Sequence, residues 1–342
     1  MSELAQSSRA LRTGPLPRTG AIVAGLFAVA AALFALTLTC GQGCVAPSDA
    51  FAALMGEDVP GTTFLVRDLR LPRAALSLVA GICFGLGGVA FQIMLRNPLA
   101  SPDIIGISAG SSTAAVFAIV VLSLDGVAVS VASVVAGLAI AAAIWALSSG
   151  RGAAGARLIL VGIGISAMLD GATSYMLLDA RAWDRAEAMR WLTGSVNGAG
   201  LQQVAPVAAA LLVFGGLLAA SARDLEILRL GDDTAQGLGV DPGLTRLRVT
   251  LAAVGLVAFA TAAAGPIAFV AFLAGPISGR LTGGRARFPA AAAMGAILVL
   301  GGDYAGQFLL TARLPVGVVT GGLGAPFLLY LIIRANRAGG SL

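Results

Sequence analysis

The sequence predicts an all-α membrane protein of about ten transmembrane helices. Three observations carry that expectation. Apolar residues make up 58% of the 342-residue chain and charged residues only 11%, against about 25% charged in soluble domains. The apolar residues fall into ten runs with short breaks between them, most of them near the ~20 residues that cross a bilayer. Glycine, at 46 residues, and alanine are concentrated inside those runs. Lipid gives helices little hydrophobic reason to associate, so small residues that let backbones approach become the packing surface.

The runs place spans at 21–40, 72–94, 104–122, 127–148, 157–178, 202–222, 248–264, 266–280, 288–310 and 315–334. Residues 1–20 form an N-terminal tail, 21–337 a single ten-helix transmembrane domain, and 338–342 a C-terminal tail. The first run follows Arg9, Arg12 and Arg18 as a signal peptide would. It exceeds the ~7–15 apolar residues of such a signal, and Leu-Thr-Leu-Thr before Cys40 lacks a small residue for lipoprotein cleavage. It is read as a retained helix. The second span opens at Leu71-Pro72, and proline is favoured in a first helical turn. The eighth, from Gly265-Pro266 to Gly275-Pro276, is short, as Gly/Pro-interrupted segments of transporters are. Were it not to cross, the C-terminus would change sides.

Two breaks are more than turns. Residues 179–201 read as a short surface helix and loop, with Trp183 and Trp191 at the interface. In 223–247, Leu225, Ile227 and Leu228 suggest a short helix broken at Gly231. Asp232 or Asp233 then caps a second, ended by Gly237 or Gly239. Two short helices with an apolar face invite a partner protein, the alternative being a loop lying on the membrane.

Charge sets orientation. With the N-terminus in the cytoplasm, fifteen of the 22 basic residues fall inside. Seven fall outside, at Arg67, Arg70, Arg73, Arg181, Arg185, Arg190 and Arg313, which obeys the positive-inside rule. Both termini are then cytoplasmic, and two five-span halves have opposite orientation, as in inverted-repeat transporters.

Composition also excludes chemistry. Every basic residue is arginine, so no GxxxxGK[ST] phosphate loop exists, and this chain is not expected to hydrolyse ATP. With no histidine, no Ser-His or Cys-His pair is available, and no metal site is expected. The pI near 9.8 does not imply nucleic acid, because the arginines lie singly between apolar runs. Cys40 and Cys44 permit a disulfide at an oxidising face, and Cys83 sits in an apolar run.

Charges inside spans are costly, about 2.5–3.5 kcal/mol for an aspartate at mid-helix on insertion scales. Ser166, Asp170 and Ser174 recur at i, i+4, i+8 and share one face of the fifth span. They line an aqueous pathway or make an interhelical hydrogen bond. Asp303, alone in an apolar setting in the ninth span, is expected to make a structural bond. Arg70 and Arg73, on the outer side against the charge rule, serve either an acidic partner or snorkelling to headgroups.

At these residues the chain resembles a known family. RLPRAALSLVAGICFGLGGVAFQIMLRNPLASPDIIGISAG (70–110), LEILRLGDDTAQGLGV (225–240), GPIAFVAFLAGPISGR (265–280) and LPVGVVTGGLGAPFLLYLIIR (314–334) are similar to permeases of type II ABC importers for iron–siderophores, haem and cobalamin. The resemblance, over about 20–337, implies ten helices per subunit and a central pathway shared by two permease subunits. It also implies two cytoplasmic ATPase subunits holding ATP and magnesium, and an extracytoplasmic substrate-binding protein. It implies that 223–247 is the cytoplasmic coupling segment, with Leu225, Leu228, Gly231, Asp232, Asp233, Leu238 and Gly239 at the ATPase. Arg70 and Arg73 would meet glutamates of the binding protein, and span five would gate the pathway. WLTGSVN (191–197) looks like the branch for ferric catecholate siderophores that uses two different permease subunits. The sequence departs from the family in having Gly275-Pro276 where many members have Pro-His, and Arg313 where an acid is usual. The expected function is import of an iron–siderophore into a bacterium across its inner membrane. Cobalamin or haem is the alternative cargo, and an ion-coupled secondary transporter using Asp170 is the alternative machine.

Overall fold

The computed structural model describes residues 16–103, 106–148, 154–284 and 287–337. Their regular structure is helical, apart from one isolated bridge between Cys40 and Cys44. In chain order the α-helices are α1 (Leu16–Thr39), α2 (Pro47–Met55), α3 (Leu71–Met94), α4 (Ile107–Val120), α5 (Gly126–Ser148), α6 (Ala154–Leu178) and α7 (Ala182–Leu192). Then follow α8 (Leu201–Leu228), α9 (Asp232–Gly237), α10 (Pro242–Ala264), α11 (Val270–Leu281), α12 (Phe288–Tyr304) and α13 (Val316–Arg337). Two π-helical turns, Phe64–Arg70 and Ala305–Leu309, extend α3 and α12 at one end of the bundle.

Among the described residues seven helices are long and apolar enough to cross a membrane, and α4, α11 and α13 are shorter apolar helices. Together they occupy the ten runs read from the sequence. A chain in lipid must satisfy its backbone polar groups internally, which helices do within one segment. Local signals set the ends. Proline stands in the first turn of α2, α3, α10 and α12, where its missing N–H costs nothing. Asp241 caps α10, its Oδ1 accepting from the Gly243 and Leu244 amides at 2.8 and 3.1 Å.

The core is built around α3, which packs against α12, α10, α11, α8 and α1. Small residues make this possible. A Cβ at Gly81 would stand 2.6 Å from the carbonyl oxygen of Gly295 on α12. One at Gly85 would run into the Ala291 carbonyl of the same helix, and one at Gly88 into the Ala271 carbonyl of α11. The Gly81/Gly85 pair, four residues apart, is the small-xxx-small face that brings helix backbones into contact in lipid. A second group, α4, α5, α6 and α7, joins the core through α5 and α4 against α10.

Helix boundaries differ from the sequence reading in several places. The sixth span does not stop at 222, because α8 runs unbroken to Leu228. The segment 223–247 therefore holds one separate short helix, α9, and not two. The eighth is helical only from Val270; Gly265–Phe269 is irregular and ends with Phe269 in the left-handed region (φ 63°). Its close neighbours explain the break. Gly265 lies so near the Trp191 carbonyl and Gly194 that no side chain fits. Lastly, α2 and the π turn at 64–70 had no sequence signal, since nine and seven residues are too short for a readable period.

Candidate functional site

At one end of the bundle, α8 and α10 are joined through α9. Gly231 (φ 114°) enters it and Gly239 (φ 81°) leaves it, two backbone conformations that glycine adopts without strain. Asp232 and Asp233 occupy the first turn, where carboxylates complement the helix dipole. Asp232 Oδ1 accepts from Arg246 Nη2 at 2.8 Å and lies 3.4 Å from Arg96 Nη2. This carboxylate therefore bridges α9, α10 and the end of α3. Asp233 is exposed. Leu225 and Leu228 are buried in the main core, which corrects their reading as contact residues: they anchor the turn from beneath. The apolar side chains on its surface are Leu230, 64% exposed, and Leu238, 60% exposed. Leu230 was missed because its neighbours Leu225 and Leu228 set the apparent apolar face.

At the opposite end, the two singled-out arginines turn inward. Arg70 donates through Nη1 to the carbonyls of Leu38 and Thr39 (3.0 and 2.7 Å) and through Nη2 to that of Gly43 (2.8 Å). These acceptors frame the loop that the Cys40–Cys44 disulfide closes. Arg73 makes a bidentate pair with Asp303, both contacts 2.7 Å, and reaches Asn197 Oδ1 at 3.4 Å. Asp303 is 2% exposed, so the structural bond expected of it is present and joins α3 to α12. Arg67 and Arg313 are exposed at this end, with no hydrogen-bond or ion-pair partner among the described residues. Sequence spacing favoured Arg70 and Arg73 over them only because those two flank Leu71-Pro72.

Asp303→Asn should cost about 3–5 kcal/mol of stability, the usual effect of removing one partner from a buried pair. Thermal unfolding in detergent reads it. Adding Arg73→Gln should restore part of the loss, because the two effects are coupled. Additive losses would deny the pairing.

The loop 193–199 sits between these elements. Ser195 N donates to Ala264 O at 2.7 Å and Gly317 N to Gly194 O at 3.1 Å. Cβ atoms at Gly194, Gly265 or Gly317 would all strike backbone. The loop after α7 is thus locked to the start of α13 and to the break before α11.

The polar stripe lies on α6, which packs mainly on α4 and α5. Asp170 and Ser174 are exposed and Ser166 half-buried. Ser166 and Ser174 bond the carbonyls of Gly162 and Asp170 at 2.8 Å, within their own helix. The Asp170 carboxylate has no partner among the described residues, so the interhelical bond considered for it is not made there. A carboxylate facing lipid is costly; this face suits water or a second subunit. Among the described residues no group of three or more Cys, Asp or Glu is placed to hold a metal ion.

A model of the FecCD transport family matches residues 29–334. The ferric enterobactin transport system permease protein FepG of Escherichia coli (strain K12) is 37% identical over 333 residues, which covers 97% of this chain and 98% of that protein. FepD, a permease protein of the same system and organism, is 32% identical over 334 residues, covering 96% and 99%. A solved metal-chelate type ABC transporter in an inward-facing conformation superposes with a TM-score of 0.82 at 24% identity. That match covers 92% of this chain and 99% of the other, and it speaks to the fold alone.

Proposed function

The chain belongs to the FecCD transport family, and from that premise we propose that it is the membrane permease of an ATP-driven importer for a ferric siderophore, paired with a second, homologous permease. The observation that carries the reading is the double match to FepG and FepD. Both are permease proteins of one ferric enterobactin system, and each aligns with nearly the whole chain. Two similar chains serving one system support a heterodimer, and their shared cargo supports an iron chelate.

In this reading the α9 end is cytoplasmic, as are both termini, and the arginine asymmetry supports it. Separate ATPase subunits hold ATP and magnesium and dock on Leu230, α9 and Leu238. An extracytoplasmic binding protein docks at the opposite end, where exposed Arg67 and Arg313 supply the counter-charges for acidic side chains, while Arg70 and Arg73, tied to carbonyls and to Asp303, shape the surface beneath them. Closure of the ATPases moves α9. Asp232 passes that motion to α3 and α10, and the exposed faces of α6 and α13 shift around a central pathway. The carboxylate and hydroxyls of α6 give that pathway a wetted wall with few strong contacts, so a large polar chelate can leave it.

The test is ATP-dependent uptake of a radiolabelled ferric siderophore into vesicles holding the chain with its neighbouring permease, ATPase and binding protein. Uptake that needs both ATP and the binding protein is expected. Transport of cobalamin or haem instead would replace the cargo. Uptake that persists without the ATPase and collapses with an uncoupler would sink the reading in favour of ion coupling at Asp170. In the same vesicles Asp170→Asn should slow uptake several-fold with the complex intact; loss of the complex would assign Asp170 to assembly.

A further inference from the structure

At the α9 end a cavity of about 510 Å³ opens between the ends of α3, α11 and α13 and the turn after α8. Its wall carries three guanidinium groups, Arg96, Arg229 and Arg280, and no carboxylate. Apart from Arg96, which pairs with Asp232, its wall has no part in the transport reading. Arg96 and Arg229 have carboxylates behind that wall, at Asp232 and Glu226, so the unbalanced charge at the cavity is that of Arg280.

Each arginine is held in place from outside the cavity. Arg96 donates through Nη2 to the Leu228 carbonyl at 2.5 Å and lies 3.4 Å from Asp232. Arg229 donates through Nη1 to Glu226 at 3.1 Å. Arg280 differs: it has no carboxylate partner among the described residues, and its guanidinium carbon stands 5.3 Å from the Phe327 ring centroid and 4.8 Å from that of Tyr330. Stacking on aromatic faces fixes the plane of a guanidinium and leaves its N–H edge for a ligand. Gln92, 5% exposed, gives its Nε2 to the Phe272 carbonyl at 3.0 Å. Its Oε1 fills the space left by the missing side chain of Gly275. That oxygen has no donor among the described residues and can accept from a ligand hydroxyl.

We propose that this cavity is an anion site for a phosphate group, with Arg280 as its principal donor and Arg96 and Arg229 completing the charge. Planar guanidinium forks match phosphate oxygens better than any other side chain. A phosphodiester headgroup bearing a hydroxyl satisfies both the arginines and Gln92. A free phosphate satisfies the arginines alone. The site sits where apolar helices meet polar turns, the depth at which basic pockets between helices meet headgroups.

The experiment places the assembled transporter in nanodiscs of mixed phosphatidylglycerol and phosphatidylcholine, and counts retained lipid by native mass spectrometry after extraction. Retention of phosphatidylglycerol over phosphatidylcholine is expected. It should fall about tenfold in Arg280→Gln, the loss of one charge-assisted hydrogen bond, and less in Arg280→Lys. Displacement by millimolar inorganic phosphate would assign the site to a soluble anion; resistance to it would assign a headgroup. Arg229→Gln replaces Arg280→Gln if the latter does not assemble. The proposal is overturned if wild type shows no headgroup preference and binds no inorganic phosphate, or if the glutamine variants retain lipid as wild type does.

Discussion

Replacing Gly88 with valine should abolish recovery of folded protein. At this position α3 rests on α11 with backbone against backbone, and a Cβ would run into the Ala271 carbonyl. Overpacking a core usually costs about 1–3 kcal/mol, because side chains can rotate away. Here the obstacle is a carbonyl already committed to its own helix, so relief requires the helices to part. Parting them moves α11 and, through Gly85 and Gly81, α12 as well. Gly216→Val, at an exposed position of α8 with no atom within 4 Å of its Cβ, is the control. Size-exclusion chromatography of detergent-extracted protein distinguishes them: an aggregated or absent peak for Gly88→Val, a wild-type peak for Gly216→Val. A monodisperse Gly88→Val protein would mean that α3 and α11 do not approach this closely.

That contact also marks what the sequence made legible. Ten spans could be read because each is a one-dimensional signal, an apolar run of limited length. The importance of glycine for packing followed from composition, but its pairing did not. Nothing in the local pattern of residues 81–88 identifies Ala291 or Ala271 as the opposing surface, since those lie some 200 positions away. Arg73 and Asp303 show the same limit. Each was conspicuous as a charge in the wrong place, and the two were explained separately, Arg73 by an acidic partner or snorkelling and Asp303 by a structural bond. The structure makes them one feature. Leu225 and Leu228 failed for another reason: a short apolar period does not say whether its face meets a partner or the protein's own core. Only the tertiary position of α8, continuous to Leu228, decides it. Asp170 stood out because a carboxylate at mid-span is expensive wherever it faces, but its spacing alone left pathway and interhelical bond open.

Charge reversal of Asp232 and Asp233 to arginine should uncouple ATP hydrolysis from uptake, and the two positions should fail differently. Asp232 is the acceptor that ties α9 to Arg246 on α10 and to Arg96 beyond α3. Asp232→Arg places a third cation among those two, so the turn loses its clasp while its exposed surface is nearly unchanged. ATPase subunits should still copurify and hydrolyse ATP, with uptake reduced at least about tenfold, equivalent to about 1.4 kcal/mol of lost coupling. Asp233 is exposed on the same turn, so its reversal acts on the partner, as does Leu238→Glu at a side chain 60% exposed. Those variants should lose the ATPase on purification, because truncating or charging an apolar contact acts mainly on dissociation. Hydrolysis by the copurified complex and uptake in vesicles, measured side by side, separate the two outcomes. Wild-type uptake in both Asp232→Arg and Leu238→Glu would remove α9 from the coupling path. Loss of the ATPase in Asp232→Arg alone would make that carboxylate a docking contact and leave the transmission of motion to the leucines.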